Sequence, residues 1–149
     1  MRAPTRYDEP IMDHSATPHD GGTDPANLPA PGEFADTWLI VPCFNEATVI
    51  RGVLENALRT FPNIVAVNDG SRDASATEIH DAGAHLVNHP VNLGQGAAIQ
   101  TGIEYARAQA GAEYFVTFDA DGQHQVKDVV AMVRRLRDEP IDIVVGTRF

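Results

Sequence analysis

The chain has 149 residues, 43% of them hydrophobic, and a formal net charge of −10. That length suits one compact domain, and the composition is too apolar for a wholly disordered chain. An acidic chain lacks the basic footprint that nonspecific nucleic-acid binding requires.

The charge is unevenly spread. Residues 1–36 hold two Arg against seven Asp and Glu, and residues 37–149 hold nine Lys and Arg against fourteen Asp and Glu. Half of the net charge therefore belongs to the first quarter, which is rich in Pro, Asp, Gly and Thr and has no apolar periodicity. Residues 1–36 are expected to form a disordered or only locally ordered acidic leader, with His14 and His19 as solvated side chains. Cys43 is the single cysteine, which excludes an intrachain disulfide and predicts a reducing, cytoplasmic location with Cys43 as a buried filler. No apolar run approaches the ~20 residues of a membrane span.

From Thr37 strands and helices are predicted to alternate. Thr37–Pro42 reads as a strand whose ladder Pro42 should end. Glu46 to about Thr60 carries Val49, Ile50, Val53, Leu54, Ala57 and Leu58 at helical spacing, with Asn45 as its N-cap. Residues 64–67 form a second strand, 73–82 a helix closed by Gly83, and 84–87 a third strand. A loop through Gly94-Gln95-Gly96 precedes a helix over 97–110. Residues 115–118 form a fourth strand, 126–137 a helix, and 141–145 a fifth strand. The alternation predicts an α/β domain: a Rossmann-like, open, mostly parallel sheet covered on both faces.

In such sheets ligands bind outside the carboxyl ends of the strands. The chain places polar residues there after every predicted strand: Asn45 and Glu46, then Asn68, Asp69, Ser71 and Arg72, then Asn92 and Gln95, then Asp119, Asp121 and Gln123, then Thr147 and Arg148. If extended geometry persists through Asp121, alternation puts Asp119 and Asp121 on one side, roughly 6.5–7 Å apart at Cα. With Gln123 they form an all-oxygen set that suits Mg²⁺ or Mn²⁺ better than zinc, with His124 as a neighbour rather than a ligand. Gly94-Gln95-Gly96 is either a ligand-facing backbone or a packing turn. It is not the dinucleotide fingerprint, because Ile99 occupies the third glycine position. Arg148 is placed to pair with a phosphate.

Five segments together resemble glycosyltransferase family 2, with its GT-A fold, and most closely the polyprenyl-phosphate (dolichyl-phosphate mannosyltransferase-like) branch. They are Val41-Pro42-Cys43-Phe44-Asn45-Glu46, Val67-Asn68-Asp69-Gly70-Ser71, Asn92-Leu93-Gly94-Gln95-Gly96-Ala97-Ala98, Asp119-Ala120-Asp121-Gly122-Gln123 and Val145-Gly146-Thr147-Arg148-Phe149. The resemblance implies that Pro42, Phe44 and Glu46 line a nucleotide pocket, and that Val67 and Asp69 hold the base and ribose. It implies that Asp119, Asp121 and Gln123 bind the metal and that Ala120 lies against the nucleotide. Arg148 contacts the donor phosphates, and Asp121 and Arg148 serve catalysis by stabilising the leaving diphosphate.

The implied donor is a UDP- or GDP-linked sugar. The implied acceptor is a lipid phosphate, which would put the protein at the cytoplasmic face of a membrane. Asn68 stands where many relatives carry Asp. Family members continue beyond the segment matching Phe149 into an acceptor-binding half, so residues 37–149 are expected to be a donor-binding part, truncated after the fifth strand. Three other readings compete: a nucleotide-binding remnant without catalysis, a nucleotidyltransferase, and a haloacid-dehalogenase-type phosphohydrolase. For the last, D-x-D-G should follow the first strand; for the nucleotidyltransferase, a glycine-rich basic loop should.

Overall fold

A computed structural model describes residues 28–121 and 125–146. It contains β1 (Thr37–Cys43), α1 (Ile50–Leu58), β2 (Asn63–Asp69), α2 (Ser75–Ala82), β3 (His85–His89), α3 (Gln95–Arg107), β4 (Tyr114–Thr117) and α4 (Val126–Asp138). The four strands are parallel, in the order β3-β2-β1-β4. The α/β expectation therefore holds.

β1 has a neighbour on each side and is buried on both faces, so its side chains divide between two cores. Leu39, Val41 and Cys43 join Ile64 and Ala66 beneath α1, α2 and α4, where Ile50, Leu54, Ile79, Val129 and Val133 close the layer. Trp38 and Ile40 join Val65 and Val67 on the other face, covered by Ala98 and Ala106 of α3. Cys43 is buried, as its sequence context predicts. The small residues Ala98, Gly102 and Ala106 recur every fourth position on α3 and are all buried. They bring that helix down onto the sheet, because side chains four apart share one helix face.

Pro42 does not end β1, which runs on to Cys43. The Ile40 carbonyl accepts from Phe118 N–H on the β4 side. Residue 42 has the same parity and points the same way, but β4 pairing stops at Ile40↔Thr117. The N–H that proline lacks lies on that side, so the β4 ladder goes no further while the β2 pairing continues through Cys43.

Three other expectations change. The folded unit begins before Thr37: Phe34 is buried against Phe61, with ring centroids 4.7 Å apart. Glu33 accepts from Arg134 at 2.7 Å, and Asp36 pairs with Arg137, whose guanidinium also lies over the Phe34 and Tyr114 rings. The remainder of the predicted leader, residues 1–27, lies outside the described residues.

The second change is at α1, which starts at Ile50 rather than Glu46. Asn45 does not cap it. The third is the absence of the predicted fifth strand, since 141–146 has no strand pairing. Ile143 and Val145 are each 77% exposed, and a cleft of about 650 Å³ separates residues 142–146 from β4. Apolar alternation marks residues able to pair, but a strand exists only where its N–H and C=O groups reach a ladder.

Candidate nucleotide and metal site

Strand order fixes where a ligand can sit. The chain moves outward from β1 through β2 to β3, then crosses back to place β4 on the other side of β1. The loops leaving β1 and β4 therefore diverge, and the crevice between them is the topological switch point where open α/β sheets bind ligands.

The loop after β1 is built by the loop after β2. Asn45 adopts φ +56°, a conformation Asn tolerates better than most residues. Its N–H donates to Ser71 Oγ at 2.9 Å, and its Oδ1 accepts from Arg72 N–H at 2.9 Å. Glu46 N–H donates to Ser75 Oγ, and Ala47 N–H to Asp73 Oδ2. Three consecutive backbone donors are thus satisfied by side chains from the loop after β2 and the first residue of α2. The Glu46 carbonyl then accepts from Val49 and Ile50, forming a turn that leads into α1. Hydrogen bonding from Ser75, with further donation from Ala47, holds the Asp73 carboxyl below its usual range.

The loop after β3 is organised around Asp69. Its Oδ1 accepts from Leu93 N–H at 2.9 Å and contacts His89 Nδ1 at 2.7 Å, while Oδ2 accepts from Gly94 N–H at 2.8 Å. Burial would push this carboxyl up. The Leu93 N–H, the His89 ring and the Gly94 N–H outweigh it and leave the carboxyl below its ordinary value. Alongside, Asn68 Nδ2 donates to Asn88 Oδ1, and Asn68 Oδ1 accepts from Ser71 N–H.

Between these loops lies a cleft of about 440 Å³, lined by Phe44, Asn45, Asn68, Gly70, Ser71, Arg72, His89, Pro90, Val91 and Asn92. One apolar ring, several amides and one cation give it the mixed character of a small-molecule site. Phe44 is 46% exposed, its ring available at the rim.

The predicted site residues do not all reach this cleft. Pro42 and Glu46 are half-buried and do not line it. Val67 is wholly buried under α3, so its side chain offers no surface to a ligand. Asp69 turns its carboxylate to the 89–94 segment, where its oxygens accept from this chain's own donors. Ala120 is buried with Phe118 in the larger core. Gln123, His124, Thr147 and Arg148 lie outside the described residues.

Asp119 and Asp121 follow the end of β4. The strand stops at Thr117, and 120–121 is a turn, so strand alternation does not set the relation between the two carboxylates. Asp119 is half-buried at the rim of the larger cleft, and Asp121 is exposed. Among the described residues, no three His, Cys, Asp or Glu side chains gather as a metal-binding group. Two carboxylates beside the switch point still fit a hard divalent cation by donor chemistry, with further oxygens coming from Gln123 or a ligand.

Sequence reasoning missed His89, Thr101, Asp73 and Ser75 as builders of the site. The parallel register pairs Asp69 with His89, so extending β3 by two residues would have brought them together.

Comparison with known proteins agrees with this architecture. The profile described as glycosyl transferase family 2 matches residues 38–149. The UDP-N-acetylglucosamine–dolichyl-phosphate N-acetylglucosaminyltransferase of Methanococcus voltae is 31% identical over 129 residues, covering 74% of this chain and 51% of that protein. The dodecaprenyl-phosphate galacturonate synthase of Rhizobium johnstonii is 32% identical over 130 residues, covering 79% of this chain and 37% of that one. Glucosyl-3-phosphoglycerate synthase from Mycobacterium tuberculosis, solved with Mn²⁺ and UDP-glucose, shares the fold with a TM-score of 0.57 at 20% identity, over 70% of this chain and 40% of that one. The chain spans about half, or less, of the length of these relatives. With a parallel sheet of the GT-A type and the family profile running from β1 through the last described residues, the chain belongs to glycosyl transferase family 2.

Proposed function

We propose that this chain carries the donor-binding part of a glycosyltransferase that moves a sugar from a nucleoside diphosphate to a polyprenyl phosphate. The observation that carries the reading is the shared edge: the four strands are parallel, so the cleft between the first three loops and the turn bearing Asp119 and Asp121 both lie at the carboxyl edge of one sheet. The nucleoside would occupy the cleft, its base against Phe44 and its polar edge toward Asn68 and Arg72. Asp119, Asp121 and Gln123 would hold the cation, either Mg²⁺ or Mn²⁺. When bound, that cation neutralises charge on the diphosphate.

Arg148 would complete the charge balance on the leaving group. An acceptor phosphate oxygen attacks the anomeric carbon, the carbon–oxygen bond to the diphosphate breaks, and the electron pair leaves with the nucleoside diphosphate. The acceptor oxygen is already anionic, so the step needs no strong general base. No helix among the described residues is long and apolar enough to cross a membrane. A lipid-phosphate acceptor would therefore be met by these residues from the membrane surface, which fits a protein at the cytoplasmic face.

Calorimetry with UDP, GDP and their sugars, with and without Mn²⁺, tests the donor reading. Metal-dependent binding should weaken by roughly tenfold or more in Asp121→Ala, the scale of one lost charge-assisted contact. Binding that ignores both metal and Asp121 would sink the metal assignment. Absence of binding to any nucleoside diphosphate would sink the donor reading. Release of nucleoside diphosphate on adding polyprenyl phosphate would distinguish a transferase from a non-catalytic nucleotide binder.

A further inference from the structure

His89 lines the cleft, but neither family membership nor the proposed donor site accounts for the two contacts its buried ring makes away from it. It ends β3 directly opposite Asp69 in the parallel register. The side chains of His89 and Asp69 are 8% and 3% exposed. Its Nδ1 lies 2.7 Å from Asp69 Oδ1, and its Nε2 lies 2.9 Å from Thr101 Oγ1 on α3. The ring therefore bridges the end of β2 to the helix on the sheet's second face.

We propose that His89 is a positioning residue that acts through Asp69 to fix the 90–94 loop, and with it one wall of the nucleoside cleft. Asp69 is the only described side chain accepting from the backbone of that loop, through Leu93 and Gly94. Its rotamer decides whether both amides are satisfied at once. A carboxylate with two backbone donors can still swing about its Cβ–Cγ bond. The third contact from His89, itself pinned by Thr101, removes that freedom.

The opposite flank of the loop is held by shape. A Cβ on Gly70 would lie 2.4 Å from both Asn92 N and Val91 C, so these backbones already touch. The Thr101 hydroxyl can donate to Nε2 or accept from it, so the bridge is compatible with either charge state of the ring. Nδ1–H donates to Asp69 in both cases.

The proposal separates two substitutions that merely structural packing would treat alike. Asn at 89 can present its amide N–H near the Nδ1 position, toward Asp69. Gln carries its amide further out, near Nε2, toward Thr101. Hydrogen exchange is read at the Leu93 and Gly94 amides of the full chain without ligand, with Leu39 and Ile64 as core references.

His89→Ala should accelerate Leu93 and Gly94 by about tenfold while the core references stay within twofold. His89→Asn should recover most of that protection and His89→Gln little of it. Equal acceleration at all four amides, no change at Leu93 and Gly94, or equal behaviour of the Asn and Gln variants would overturn the positioning role. If His89→Ala does not fold, the Asn and Gln pair decides the question.

The link to the cleft rests on the donor reading and is checked separately, with UDP as probe. His89→Ala should weaken binding about tenfold, and His89→Asn should stay within about threefold of the unaltered chain. Loss of loop protection with unchanged UDP affinity would overturn the claim that this wall serves the nucleoside. If the unaltered chain binds no nucleoside diphosphate, the donor reading falls, and the exchange result still decides whether His89 positions the loop.

Discussion

At the scale of single residues, the site depends on positions where ordinary side chains would not fit. Gly70 has φ +70° and its α-carbon faces the backbone of Val91 and Asn92. Alanine there meets both a left-handed backbone and a contact at 2.4 Å with atoms that cannot rotate away. Gly70→Ala should therefore cost about 2–4 kcal/mol, combining backbone strain with overpacking. Urea unfolding measures it. A loss below about 0.5 kcal/mol, the level of an ordinary surface change, would mean that the two loops separate easily. Asn45 solves the same backbone problem differently. At φ +56° it uses its carbonyl oxygen to hold Arg72 N–H, so its side chain ties two loops together instead of capping α1.

At the scale of elements, α3 shows how closely the fold is packed. A Cβ on Gly102 would lie 2.5 Å from Ile40 Cγ2, a branched side chain fully buried in the central strand. Branching at Cβ leaves Ile40 little rotameric freedom, so the helix itself has to move. Gly102→Val should destabilise the chain by about 2–3 kcal/mol, because its added volume has to enter a space already filled by Ile40. Chemical denaturation gives the value, and Gly102→Ala should fall between Val and the native residue. A stabilised Ala variant would show that helix propensity outweighs the clash. The same movement would disturb Thr101, the preceding residue on the helix and the partner of His89. The proposed fifth strand fails at this scale too: Ile143 and Val145 have the right chemistry, but their segment stands across a cleft from β4.

At the scale of the molecule, pH dependence follows from carboxylates whose folded state favours ionisation. Asp69, Asp73 and Glu33 all have carboxyls held below their ordinary values. A depressed folded pKa adds stability that is present above the unfolded value, about 4, and is lost as pH falls through the folded value. Melting temperature should therefore be flat with respect to these groups above about pH 5 and fall progressively below about pH 4. Asp69→Asn should lower stability near neutrality and flatten the acid limb, because one group of the set no longer titrates. A variant with the same acid slope as the native chain would show that Asp69 does not contribute to it. Asp73 is exposed and screened by solvent, whereas Asp69 is buried among its donors and should contribute more than Asp73 to the difference.

The sequence alone determined the α/β class, the order of the first four strands and helices along the chain, and the gathering of polar residues at one sheet edge. Apolar periodicity and strand-end chemistry are local properties, and five motif segments in order carried the family. Tertiary structure decided what each polar side chain does. Asp69 read as a ligand contact; what the structure adds is that its oxygens hold the 89–94 segment, because a strand register unresolved by periodicity set His89 opposite it. Asn45 read as a cap and became a bridge, because Ser71 and Arg72 arrive from a different loop. Val67 read as part of the pocket and was taken by the core under α3. Residues 141–145 read as a strand, but pairing depends on where β4 and α4 leave an accessible edge. Residue type states which bonds a side chain can make; packing and register decide which partner is within 3 Å.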